Sequence, residues 1–266
     1  MRKRSIQRLA RRLVGPSARR LLGTITHVST VEPAVALTFD DGPTPDTTPR
    51  LLALLERYGA RATFFMVGEA ALRHPDLVRQ VAERGHAIGN HSWDHPALTV
   101  LAGRHRRRQI SACQLALGPH GHRLFRYPYG LQSLRARLDA FWLGFEVIQW
   151  NVSPGDWCEI DPHAIANRIV AGIRPGSIVV LHDGLYDRGQ PGLGVTLDRL
   201  PVVDRGAMLR AVEIVLQQVS HQYRFVTVPE LLRLGRPERP ILCRPVRNRG
   251  TDLPPRIPPD PVGDLQ

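Results

Sequence analysis

Between residues 34 and 234 short apolar runs alternate with amphipathic segments, and no other feature of the sequence restricts the fold as much. Two parallel strands can be joined only by a crossover of about a dozen residues or more, which is usually a helix. Repeated strand–helix units therefore predict a parallel sheet covered by helices, either open or closed into a barrel. Strands are expected at 34–40, 62–67, 86–91, 124–129, 145–152, 177–182 and 224–228. Helices are expected from Thr48 to a stop at Gly59, and over 75–84, 101–117, 133–143, 162–173, 205–221 and 229–234. Thr48-Pro49 reads as a helix cap followed by a first-turn proline. Seven to eight such units fit one domain, bounded here as 23–235.

The formal charge of +12 invites a nucleic-acid or membrane reading until it is divided along the chain. Residues 1–22 carry +8 and residues 236–266 carry +2, so only +2 belongs to the folded part. A nucleic-acid partner is not expected. In the basic segment 1–22, Ile6, Leu9, Ala10, Leu13 and Val14 lie at helical spacing opposite Arg4, Arg8, Arg11 and Arg12. That pattern suits either a disordered basic tail or an amphipathic helix resting on an anionic membrane. The tail 236–266 is rich in proline and arginine and reads as disordered or draped. No stretch is long and apolar enough to span a membrane, and Arg19-Arg20 interrupt the one candidate signal segment. The expected location is therefore cytoplasmic or peripheral to a membrane. Cys113, Cys158 and Cys243 have no C-x-x-C spacing, so any metal must be held by oxygen and nitrogen.

Polar residues gather at the C-terminal ends of the predicted strands, the face on which parallel α/β folds build their sites. The first run ends in Asp40-Asp41-Gly42-Pro43. Adjacent strand residues point to opposite faces, so both carboxylates reach one site only if the backbone turns between them, a turn expected from Gly42-Pro43. His91 and His95 stand at i and i+4, on a single turn or a loop because Pro96 disfavours helix at His95. Alone, that spacing fits two ordinary histidines. With a neighbouring carboxylate it makes a two-histidine, one-carboxylate set suited to zinc and also to non-haem iron(II). Arg126 follows another apolar strand and is placed to orient a carboxylate. Trp150 and Trp157 flank Asp156 as a platform of sugar size. His182 ends a strongly apolar strand, where it is either a buried, satisfied histidine or a general acid.

Thr38-Phe-Asp-Asp-Gly-Pro43, His91-Ser-x-x-His95, Arg126-x-Pro-Tyr-Gly130, Trp150 with Asp156-Trp157, and Leu181-His182-Asp183 resemble, in order and spacing, the five motifs of the polysaccharide deacetylases. This is carbohydrate esterase family 4, the NodB-homology domain, and the resemblance covers roughly residues 30–235. It implies a distorted (β/α) barrel and a hydrolase acting on carbon–nitrogen bonds other than peptide bonds. The implied substrate is an N-acetylglucosamine glycan of the chitooligosaccharide or peptidoglycan type. Asp41, His91 and His95 would be ligands of one divalent metal, of which zinc is expected. Asp40 would be the base that takes a proton from metal-activated water, oriented by Arg126. His182 would be the acid, oriented by Asp156. The Tyr129 backbone N–H would stabilise the oxyanion, and Trp150 and Val180 would line the acetyl pocket.

The chain departs from the family pattern at Tyr127, Ser153 and Val180, none of which removes a catalytic atom. The glycine-rich segment 184–201 reads as a lid or substrate loop. Two other functions stay open: a deacylase or deformylase of another amide on a lipid-linked or small molecule, and a non-catalytic glycan-binding or membrane-surface module.

Overall fold

The computed structural model describes residues 23–186 and 204–241. The amphipathic segment 1–22, the greater part of the expected substrate loop, Cys243 and the tail beyond 241 lie outside the described residues. Strand β2 (Ala34–Asp40) is buried at every position, as a near-continuous apolar run in a parallel sheet should be. It pairs in parallel with β3 (Thr63–Met66), β7 (Ile178–His182) and the short β8 (Arg224–Phe225). Beyond β3 come β4 (Ala87–Asn90), β5 (Gly121–Phe125) and β6 (Glu146–Val147), all parallel. The two ends of this sheet then meet. The chain after β6 reaches β7 through a parallel bridge between Val152 and Val179, and the Val180 N–H donates to the Val152 carbonyl at 3.0 Å. The fold is the distorted (β/α) barrel that the motifs implied.

Side-chain parity along β2 separates two cores. Val35, Leu37 and Phe39 point outward into a large apolar layer beneath α1 (Thr48–Arg57), α6 (Pro162–Gly172) and α7 (Gly206–Val219). Ala34 and Ala36 point inward, where Phe65, Leu124, Ile148, Ile178 and Val226 fill the barrel. Asp40 has the inward parity. The outer layer carries most of the burial energy: a fully buried Leu such as Leu51, Leu55 or Leu216 contributes about 1.5–3 kcal/mol. Truncating Phe39, which stacks on Phe64 at 5.3 Å, would cost about 3–5 kcal/mol.

The remaining helices are α2 (Gly68–Arg73), α3 (Pro75–Glu83), α4 (Gly103–Leu117), α5 (Leu134–Trp142) and α8 (Val228–Leu231). Helix α2 was not anticipated. Several expected bounds shift for identifiable reasons. Strand β5 stops at Phe125 because Pro128 lacks an N–H and Tyr129 is left-handed. Of the run 145–152 only Glu146–Val147 is strand; Ile148 then makes an isolated bridge to Ile25, and the Gln149 N–H donates to the Ile25 carbonyl. Thr48 does not cap α1; its hydroxyl donates to Asp183 Oδ2 at 2.6 Å. The expected boundary at 235 falls inside the fold, because β9 (Arg236–Glu238) pairs antiparallel with β1 (His27–Ser29).

Candidate active site

Five pieces of backbone deliver side chains to the C-terminal mouth of the barrel: the ends of β2, β4, β5 and β7 and the loop after β6. Asp40, Asp41, His91, His95, Arg126 and Asp156 are all buried there. Among the described residues the non-glycine positions with positive φ are Asp41 (75°), Ser92 (70°), His95 (59°) and Tyr129 (57°). All four belong to the mouth. Each holds roughly 1–3 kcal/mol of backbone strain, which packing around the site must offset.

Asp41 shows what the strain accomplishes. The turn that brings both carboxylates to one side was expected at Gly42-Pro43, but it occurs one residue earlier, at Asp41 itself. Gly42 is required for a different reason: a Cβ there would lie 2.4 Å from the Asp183 carboxylate oxygens. His91 and His95 sit on an irregular loop, not a helical turn, yet both rings converge on Asp41. Nε2 of His91 is 3.4 Å and Nε2 of His95 is 3.2 Å from Asp41 Oδ1.

The chemistry of these three donors fits a divalent cation. His91 Nδ1 is 2.9 Å from the Arg126 carbonyl. A carbonyl can only accept, so Nδ1 carries a proton and the ring is turned with Nε2 toward Asp41. Burial, reinforced by His91, lowers the His95 pKa to about 4 despite the opposing pull of Asp41, so this imidazole is neutral near pH 7. Burial raises the Asp41 pKa, but His95, His91 and His182 more than reverse that and hold it below the usual carboxylate range. Asp41 Oδ1 accepts no hydrogen bond although it is buried. Two imidazole nitrogens within 3.2–3.4 Å of one carboxylate oxygen have the spacing of ligands that share a cation. Tetrahedral coordination at about 2.0–2.1 Å also places ligand atoms roughly 3.3 Å apart.

Two relays flank this cluster. On one side Arg126, with no exposed surface, donates from Nη1 to Asp40 Oδ1 at 2.7 Å and to Thr38 Oγ1 at 2.7 Å. Its remaining nitrogens donate to the carbonyls of Ile148 and Gln149, and its guanidinium lies 4.0 Å above the Phe65 ring. On the other side His182 Nδ1 meets Asp156 Oδ1 at 3.1 Å, while the His182 N–H donates to Asp156 Oδ2 at 2.9 Å. Burial opposes the imidazolium, but Asp156, then Asp41 and Asp40, outweigh it and raise the His182 pKa to about 9.

The wall residues divide by exposure. Val180 is buried, with the same inward parity as His182. Trp150 packs against Gly130, whose φ of 66° and 2.9 Å Cβ clearance to the indole admit no side chain. The Tyr129 ring lies 4.5 Å from that of His95, and Trp157 is partly exposed. Two contributors escaped the sequence reading. Gln109 on α4 accepts the Trp93 and Asp94 N–H groups and so staples the histidine loop. Arg205, just before α7, donates to Asp156 Oδ2 at 2.5 Å. Neither stands in a recognisable motif; a glutamine or arginine at a helix start or on a helix face looks like any surface residue.

Barrel, carboxylate–histidine cluster and opposed relays together define a metal-competent hydrolytic centre of the (β/α) type. Residues 27–148 match the polysaccharide deacetylase family. A chitooligosaccharide deacetylase of Azorhizobium caulinodans is 39% identical over 62% of this chain and 80% of its own length. A peptidoglycan-N-acetylglucosamine deacetylase of Bacillus cereus is 35% identical over 76% of this chain and 89% of its own. The solved structure of the Bc1960 peptidoglycan N-acetylglucosamine deacetylase superposes with a TM-score of 0.68 at 28% identity, covering 80% of this chain and 94% of that one. The chain belongs to the polysaccharide deacetylase family.

Proposed function

We propose that this protein is a zinc-dependent hydrolase that removes N-acetyl groups from N-acetylglucosamine glycans of the chitooligosaccharide or peptidoglycan type. The observation that carries this reading is the pair of relays: a carboxylate tied to Arg126 and an imidazole tied to Asp156 stand on either side of the Asp41–His91–His95 cluster. Asp41, His91 and His95 would hold a divalent ion, which would supply Lewis-acid polarisation of water and of the amide carbonyl.

The residues then act in order. Asp40, kept in place by Arg126, accepts the proton of the attacking water as its oxygen bonds to the carbonyl carbon. The Tyr129 peptide N–H donates to the carbonyl oxygen as negative charge builds there. His182 delivers its proton to the sugar nitrogen, so that the C–N bond breaks to an amine and acetate rather than expelling an amide anion. Trp150 and Val180 bound the space for the acetyl methyl, and Trp157 offers its exposed face to the sugar ring.

The catalytic domain extends from residue 23 through the β1–β9 pair, with basic residues 1–22 before it and the Pro/Arg-rich tail after it. We assign to residues 1–22 reversible contact with anionic lipid. No described helix is long and apolar enough to cross a membrane. Removing residues 1–22 should abolish binding to anionic vesicles and leave turnover intact; equal vesicle binding by both forms refutes the contact. Acetate and formate release from N-acetylchitooligosaccharides and from peptidoglycan tests the activity. Zinc-loaded protein that frees no acetate from either glycan refutes the proposed function.

A further inference from the structure

Asp156 is gripped from two sides. Its Oδ1 faces His182 Nδ1 at 3.1 Å, while Oδ2 accepts both the His182 N–H at 2.9 Å and Arg205 Nη2 at 2.5 Å. The same Nη2 also donates to the Asp156 carbonyl at 3.0 Å, and Arg205 Nε donates to the His182 carbonyl at 3.1 Å. One guanidinium edge thus ties the end of β7 to the loop after β6. Arg205 and Asp156 are both buried, so solvent screens their interaction little.

We propose that Arg205 is the positioning residue of the proton donor: it locks the Asp156 carboxylate with Oδ1 toward the imidazole and holds the end of β7 against the loop after β6. This rests on the reading that His182 is the acid. The fork geometry decides this: Nε and Nη2 of one planar group reach two carbonyls and a carboxylate, a span that a lysine ammonium cannot reproduce.

Positioning and folding separate experimentally in the full-length, zinc-loaded protein, with kcat and KM on N-acetylchitooligosaccharides, zinc content and the thermal midpoint measured together. Arg205→Gln should lower kcat by roughly 10–100-fold, as a displaced catalytic group does, with KM and zinc content unchanged. Arg205→Lys keeps the charge without the fork and should also lower kcat. If Arg205→Lys keeps full kcat, or if KM rises while kcat holds, the positioning role is overturned while that of His182 stands. If His182→Ala stays active, the acid assignment falls and this inference with it. Should Arg205→Gln not fold, Arg205→Lys decides on the same readout.

Discussion

Arg126→Met tests whether the base is held by a buried ion pair or merely packed. Methionine keeps an unbranched apolar stem over Phe65 and removes every donor of the guanidinium. The structure gives the scale of the loss. Arg126 is fully buried and Asp40 is 3% exposed, so the 2.7 Å pair has almost no water to replace the missing partner. Breaking such a pair from one side costs about 3–5 kcal/mol, mainly because the surviving charge is left uncompensated. The orphaned carbonyls of Ile148 and Gln149, bonded at 3.3 and 3.2 Å, push the expectation toward the upper end of that range. Adding Asp40→Asn removes the stranded charge, so the double variant should be more stable than Arg126→Met alone by about 1–3 kcal/mol. Urea unfolding of the zinc-free protein, followed by tryptophan fluorescence, measures all three differences. A cost below about 1 kcal/mol for Arg126→Met, or further destabilisation on adding Asp40→Asn, would refute the ion-pair account.

Three more outcomes follow from the geometry. His91→Ala should abolish stoichiometric zinc in the purified protein, and full occupancy by elemental analysis would remove His91 from the ligand set. Asp40→Asn should lower turnover by roughly 10²–10⁴ at every pH with zinc content unchanged; near-normal rates would end its role as base. His86 lies away from the site, its Nδ1 accepting the Ala62 N–H at 3.1 Å, and burial, then Arg84 and Arg61, depress its pKa to about 4. The unfolded chain therefore binds this proton more readily than the folded one below pH 6.5. The stability that His86 contributes is present above 6.5 and lost as pH falls through 4. His86→Asn, which keeps an acceptor, should flatten this acid loss by about 1–3 kcal/mol in urea titrations between pH 7 and 4; an unchanged slope would rule His86 out as its source.

Residues 34–234 by themselves determined the alternation of strand and helix, and with it the parallel sheet and the end of it that carries polar residues. Those are local properties: an apolar run of strand length or a helical periodicity is read without knowing what it packs against. The identities of Asp40, Asp41, His91, His95, Arg126, Asp156 and His182 were legible for a related reason, since each stands at a strand end or on the loop just after one. What the sequence could not decide is how far each element runs and which way its last residue turns. The strand that ends at Phe125 goes no further because Tyr129 is left-handed, and the run 145–152 is strand only at Glu146–Val147, since Ile148 bridges to Ile25 instead. Backbone strain at Asp41 and His95 brings the ligands together, and it persists only because the surrounding packing outweighs it. Gln109 and Arg205 owe their roles to residues 15 and 49 positions away. Such partners are set by closure of the barrel, which juxtaposes groups according to three-dimensional distance, and no local pattern in the chain encodes that distance.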